Sequence, residues 1–251
     1  MGLFSINKGT RIIIGVMVIL GLIGIAIAWV YYGNINRAVD PRVREAHLMY
    51  GRYNVYASEN NVEMVLALLD SIEDIYLSVP HYTDSYEMGV VYNNRATVFL
   101  TRALSDSGLE EIRQYYFSLS EKHLNKSMSY YTRWIDLFGD KSEEEITDYV
   151  HEEFSADGSL SQNKNLDAII RSRVKEIRMA QLEMPRRMSV SYTNLGIIRR
   201  HENKPEEAID YYIKALELWD QNHVAKNNMN ILFGEPIEKQ SVLRKLFPPK
   251  R

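Results

Sequence analysis

The 251-residue chain contains no cysteine. That excludes disulfides, thiolate metal sites, a cysteine nucleophile and every thioester- or thioether-linked lipid anchor. No segment alternates apolar and polar residues in the two-residue period of a strand for a useful length. A nucleophile elbow, a phosphate-cradling glycine loop and a zinc-protease helix motif are missing as well. His47, His123, His151, His201 and His223 have no companions at catalytic spacing. These absences argue for an all-α protein that is not an enzyme and uses no cofactor, metal or small-molecule substrate.

Charge is missing in two further places. Ile12 to Tyr32 is a run of 21 residues without a single charge, between Lys8 and Arg11 on one side and Arg37 on the other. At about 1.5 Å per residue it spans roughly 31 Å, the thickness of a hydrocarbon core. Trp29, Tyr31 and Tyr32 lie at its far end, where interfacial aromatics belong. The expectation is a basic tail, 1–11, then a single transmembrane helix, 12–32, placing the protein single-pass in a cell inner membrane. A cleaved secretory signal is the alternative, because Ala26-Ile27-Ala28 has the small-x-small form of a cleavage site. Arginines 37, 42, 44 and 52 follow the span, so the positive-inside rule taken literally favours a cytoplasmic C-terminal part. Three of them fall inside a predicted folded helix, and on that ground the expectation is a periplasmic or extracytoplasmic domain. Gly24 and Ala28 offer a small-xxx-small face for membrane helix packing.

The second gap is one of sign. From Tyr53 to Asn94 there is no lysine or arginine, but seven acids and six tyrosines. From Lys164 to Arg200 the balance reverses, with nine basic residues against Asp167, Glu176 and Glu183. Two docking faces of opposite sign are one reading, and helix faces that pair inside the chain are the other. The first makes Tyr53, Tyr56, Tyr82, Tyr86, Tyr92, Glu63, Glu73 and Asp74 a candidate partner surface, with Arg171, Arg173, Arg178 and Arg199 opposite. Nucleic acid is not an expected partner, since the net charge is −3 and no nucleic-acid fold is recognisable.

Beyond a linker, 33–40, the chain is patterned for helices. Asp40-Pro41 suits a helix start, and Ser58-Glu59-Asn60 suits a turn. Val62, Val65, Leu66, Leu68, Leu69, Ile72, Ile75 and Tyr76 then mark a second helix before Pro80. A further pair is centred on Tyr92 to Ala96 and on Leu119 to Tyr131, with about twelve residues too many between them for a standard repeat. An acidic segment, Ser142 to Phe154, and a basic amphipathic one, Leu166 to Met184, follow. Pro185 is expected to open the next helix.

Residues 189–222 carry the strongest pattern. Tyr192, Leu195 and Gly196 are followed by Ala208, Tyr212, Ala215 and Leu216. Two helices can approach closely where Gly196 and Ala208 are small, with Leu195, Tyr212 and Leu216 filling the space around them. Asn194-Leu195 recurs as Asn228-Met229 after 34 residues. The stretch resembles the tetratricopeptide repeat family. That resemblance implies a TPR-like α-solenoid over 41–236, a partial capping repeat at 223–234, and a concave surface that holds other proteins. Arg199 departs from the pattern where the family has an aromatic. Residues 237–251 complete the chain as a basic tail.

Two smaller constellations imitate metal sites. Glu153, Ser155, Asp157, Gly158, Ser159 and Ser161 resemble the start of a calcium loop, but Lys164 stands where the closing acid should be. His81, Asp84 and Glu87 recur every third residue, although two carboxylates there also suit a helix amino terminus. The functional expectation is a membrane-anchored scaffold or adaptor that assembles or stabilises a bacterial envelope complex through protein–protein contacts. The alternative is a structural subunit self-assembling into a ring or collar, for example around a secretion, pilus or flagellar-motor complex.

Overall fold

The computed structural model describes residues 38–105 and 109–238. Among them are eight α-helices, one 3-10 turn and no strand. They are α1 (Arg44–Ser58), α2 (Val62–Leu77), the turn Pro80–Tyr82, α3 (Tyr86–Ser105), α4 (Glu110–Phe138), α5 (Glu143–Ala156), α6 (Leu166–His201), α7 (Pro205–Leu218) and α8 (His223–Phe233). The all-helical expectation holds, but its membrane part is corrected. Among the described residues no helix is long and apolar enough to cross a membrane. The span expected at 12–32, with its Gly24 and Ala28 face, lies outside the described residues, and the inner-membrane placement that rested on it is withdrawn.

Local chemistry sets the helix boundaries. Asn61 caps α2 by accepting from the Met64 amide at 3.2 Å, after Asn60 has turned the chain at a φ of 56°. Ser142 and Glu145 form a reciprocal capping box on α5. Pro205 opens α7, where its missing amide costs nothing, and Gly234 ends α8 in the left-handed conformation at a φ of 69°.

The helices pack as successive antiparallel pairs: α1 with α2, α3 with α4, and the second half of α6 with α7, after which α8 covers the end. This stacking is that of an α-solenoid. Tyr212 lies fully buried with its ring edge against Gly196, where an added Cβ would come within 3.0 Å of ring atoms. Ala208, Tyr212 and Ala215 are all fully buried in one cluster, with Tyr192 and Leu216 packed against it. Leu195 packs in the neighbouring cluster with Ala96, Leu124 and Ile198.

The same lock recurs one pair earlier. Gly89 on α3 receives the edge of Tyr131 on α4, again too close for a Cβ. Ser127 takes the place of Ala208 and donates from its hydroxyl to the Gly89 carbonyl at 2.7 Å. Further along, Ser120 donates to the Ala96 carbonyl at 2.9 Å. Gly196 and Ala208 are 12 residues apart, whereas Gly89 and Ser127 are 38 apart. The excess lies in both helices, since α3 continues 16 residues beyond Gly89 and α4 begins 17 before Ser127. At about 1.5 Å per residue, each runs roughly 25 Å past the lock.

Between these pairs sits an addition. α5 packs on the first half of α6 through Ile146, Val150 and Phe154 against Ile169, Ile170 and Val174. Pro185 does not open a helix: it lies inside the continuous 36-residue α6. One lost backbone hydrogen bond is tolerated because Met184 and Ser189 on either side are buried, fixing both halves of the helix from outside.

Candidate partner-binding groove

A groove of about 500 Å³ opens between α1, α3 and the first half of α6. His47 and Tyr50 line it from α1, and Tyr86, Glu87 and Val90 from α3. α6 contributes Ser172, Lys175, Glu176, Met179, Ala180, Glu183 and Arg187, while Tyr76 of α2 closes the floor. Its walls are mainly apolar and aromatic. The Tyr50 hydroxyl is buried in it without a hydrogen-bond partner. Burial pushes that phenol far above its ordinary range, and the nearby Glu87 carboxylate adds to the shift.

An ionic network anchors the groove from behind. Arg173, 2% exposed, donates to Glu87 at 2.5 and 3.3 Å and to Glu176 at 3.1 Å. Its Cζ lies 4.4 Å from the centre of the Tyr82 ring. Burial alone would raise the Glu87 carboxyl, but the charge and hydrogen bonds of Arg173 outweigh it and hold the group at about 2. Burial also opposes the charge on Arg173, and Glu87 restores it.

Arg173 further donates from Nε to His81 Nε2 at 3.1 Å, while His81 Nδ1 meets Glu153 at 2.6 Å. An arginine has no acceptor, so His81 Nε2 must be the unprotonated nitrogen, and Nδ1 donates to Glu153. Burial lowers the imidazole below its ordinary value and keeps it neutral, against the pull of Glu153. Nearby, Arg42 donates to Asp157 at 2.6 Å and to Asp40 at 2.7 Å. The start of α1 is thereby tied to the loop between α5 and α6. Asp157, the centre of the calcium-loop resemblance, therefore uses its carboxylate on Arg42 and on Ser159. His81, Asp84 and Glu87 diverge too: Asp84 pairs with Arg133 at 2.9 Å, away from Arg173. Among the described residues no cluster of side chains is arranged to hold a metal ion.

The structure sorts the sequence-derived partner surface. Tyr86 lines the groove, and Tyr53 and Tyr56 are half-buried beside the N-terminal core. Tyr82 and Tyr92 are buried and so present no surface. Tyr92 stacks on Tyr130 and His123 and donates to Glu73, which also pairs with Arg95 at 2.7 Å. Arg173 is buried, and Arg199 bridges Glu121 on α4 to Glu202 and Glu207, cementing two helix pairs. Glu63, Asp74, Arg171 and Arg178 remain on the exterior and are not brought together with the groove. Sequence reasoning missed Tyr50, Tyr76, Val90, Met179 and Arg187. A weak signal existed for Tyr50, one helical turn from Tyr53 on the face of the buried Ala46.

No protein-family model matches the chain, and neither a curated protein nor a solved structure is found to be similar to it.

Proposed function

We propose that this protein is a helical scaffold or adaptor of tetratricopeptide-like construction that holds a segment of a protein partner in the groove between α1, α3 and α6. One observation carries the reading: α1, α3 and the first half of α6 converge on an open, tyrosine-lined concavity of about 500 Å³. Tyrosine supplies contact area with only two rotatable bonds to immobilise, which suits a docking surface. The titratable groups around the groove favour recognition over chemistry. Glu87 and Glu176 are both paired with Arg173, which leaves neither as a general base. Self-assembly into a ring by opposite end charges is the weaker reading, because much of that charge is engaged within the chain, as in Arg173 with Glu87.

Affinity capture with the full chain tests this. Val90→Trp fills the groove from α3, while Lys122→Trp places the same side chain on an exposed site of α4 outside it. The wild type and Lys122→Trp should retain a partner that Val90→Trp loses, all three melting alike. A partner retained equally by Val90→Trp would contradict the proposal.

A further inference from the structure

A second cleft, of about 220 Å³, lies between the end of α1, the start of α2 and the second half of α3. It shares no lining residue with the groove. The α1–α2 hairpin closes through Asn60 at a φ of 56°, and Asn60 stands at the edge of the cleft. Its apolar walls are Tyr53 and Ala57 of α1, Val62 and Val65 of α2, and Val98 of α3. Apart from the tyrosine these are short side chains, and the space between hairpin and α3 stays open.

α3 supplies the polar side. Thr97, Thr101 and Ser105 line the cleft at every fourth residue, about one helical turn apart, and Arg102 stands among them. The Thr97 hydroxyl donates to the Asn93 carbonyl at 2.9 Å, while those of Thr101 and Ser105 can rotate to donate into the cleft. Arg102 is the only charged residue on its walls, and Glu59 and Glu63, in the same stretch as Asn60, do not line it. Arg95, also on α3, is buried and paired with Asp70 and Glu73. Arg102 is exposed and makes no ion pair among the described residues.

A cation beside apolar walls, with uncharged donors and no carboxylate, complements a single negative charge on an apolar body. A guanidinium matches the two oxygens of a carboxylate with its fork of donors. Inorganic phosphate would bring more charge than one arginine neutralises and no body for the valines. We infer that this cleft binds a small monocarboxylate with an alkyl or aryl body, its carboxylate on Arg102 and its body among Tyr53, Val62, Val65 and Val98. At about 30 Å³ for each water-sized unit there is room for roughly seven, which suits a molecule the size of hexanoate or benzoate. Such a ligand would touch both the first helix pair and α3, and so tie the first pair to the second.

Calorimetric titration of the full chain with hexanoate and with benzoate, at fixed ionic strength, tests this. At least one should bind with a dissociation constant of about 0.1–1 mM, and which one does so separates an alkyl from an aryl body. Acetate keeps the charge without the body, and hexanol the body without the charge; each should bind at least tenfold more weakly. Arg102→Gln should weaken binding at least tenfold, and Thr101→Trp should abolish it by filling the cleft from an exposed position. Lys122→Gln, which removes an exposed charge from α4, should change nothing. At ten times its dissociation constant the bound acid should raise the melting temperature of the wild type by about 3–6 °C, and that of Arg102→Gln at most about a third as far. No binding of either acid at about 10 mM would overturn the inference. So would undiminished binding by Arg102→Gln or Thr101→Trp, or acetate and hexanol bound as tightly as the acids.

Discussion

Replacing Gly196 by alanine places a methyl group inside the space held by the Tyr212 ring. The added Cβ would lie less than 3.0 Å from two ring carbons and 3.0 Å from a third. Tyr212 is fully buried, and so is Tyr131, which holds the equivalent position against Gly89. Neither ring can swing clear without opening its cluster, so the cost is that of overpacking, about 1–3 kcal/mol or more. Alanine recovers up to about 1 kcal/mol through helix propensity. Overpacking wins, and a net loss of about 2 kcal/mol is expected at each site, a fall in melting temperature of about 4–8 °C. Gly51→Ala has the propensity gain with nothing to strike and should raise the melting temperature instead. Urea titrations followed by circular dichroism read all three variants as midpoint shifts at constant slope. A neutral or stabilising Gly89→Ala would refute the claim that α3 and α4 are locked by the same close approach as α6 and α7.

Removing one partner from the buried ion pair should be costly. Arg173→Met strands Glu87 and should destabilise by about 3–5 kcal/mol, whereas adding Glu87→Leu to it should recover much of that loss in the same denaturation assay. Glu87 titrates at about 2 in the folded chain against an ordinary 4.5, so its stabilisation is present above pH 4.5 and lost as pH falls toward 2. The full effect is about 3 kcal/mol, and Glu87→Gln should flatten the stability profile below pH 5. His81 is also lowered, so its contribution is complete above its ordinary 6.5 and starts to fall as the pH drops through that value. Equilibrium unfolding against pH should therefore begin to weaken near 6.5, and His81→Gln should make that limb shallower without removing it, since burial also lowers His123, to about 4, and His201. Tyr50→Phe deletes a hydroxyl that has no partner and should leave stability unchanged or raise it by up to about 1 kcal/mol; a larger loss would mean the hydroxyl is satisfied after all.

Local rules were legible where the chemistry is local. The turn at Ser58-Glu59-Asn60 and the segment start at Ser142 stand where the sequence put them, because a turn or a cap needs only its own few residues. The repeat around Gly196 was legible because its two helices are joined by a short turn, keeping Gly196, Ala208 and Tyr212 at a known period. The equivalent lock was read only in part: the pair and its partner helix to Tyr131 were placed, but Ala96 stood where the structure has Gly89, because extending both helices leaves their contact intact while destroying the spacing that a period search needs. Pro185 misled because its helix-opening preference is a local one, and packing on both sides of it overrode that preference. The charge segregation was visible, but its outcome was not. Arg173 finds Glu87 at a separation of 86 residues, and nothing in either neighbourhood says that the pair is buried together. The groove was illegible for a similar reason, since its lining is gathered from α1, α2, α3 and α6, far apart in the chain.

The central claim is that this groove holds a protein partner. A photo-activatable phenylalanine analogue at Met179, which is 44% exposed on the groove wall, tests it directly in cells expressing the full chain. The same analogue at Lys122 samples an exposed position outside the groove. The account predicts one discrete covalent adduct from position 179 that is absent from position 122 and is suppressed by Val90→Trp. Adducts that are the same from both positions, or none from position 179, would contradict it.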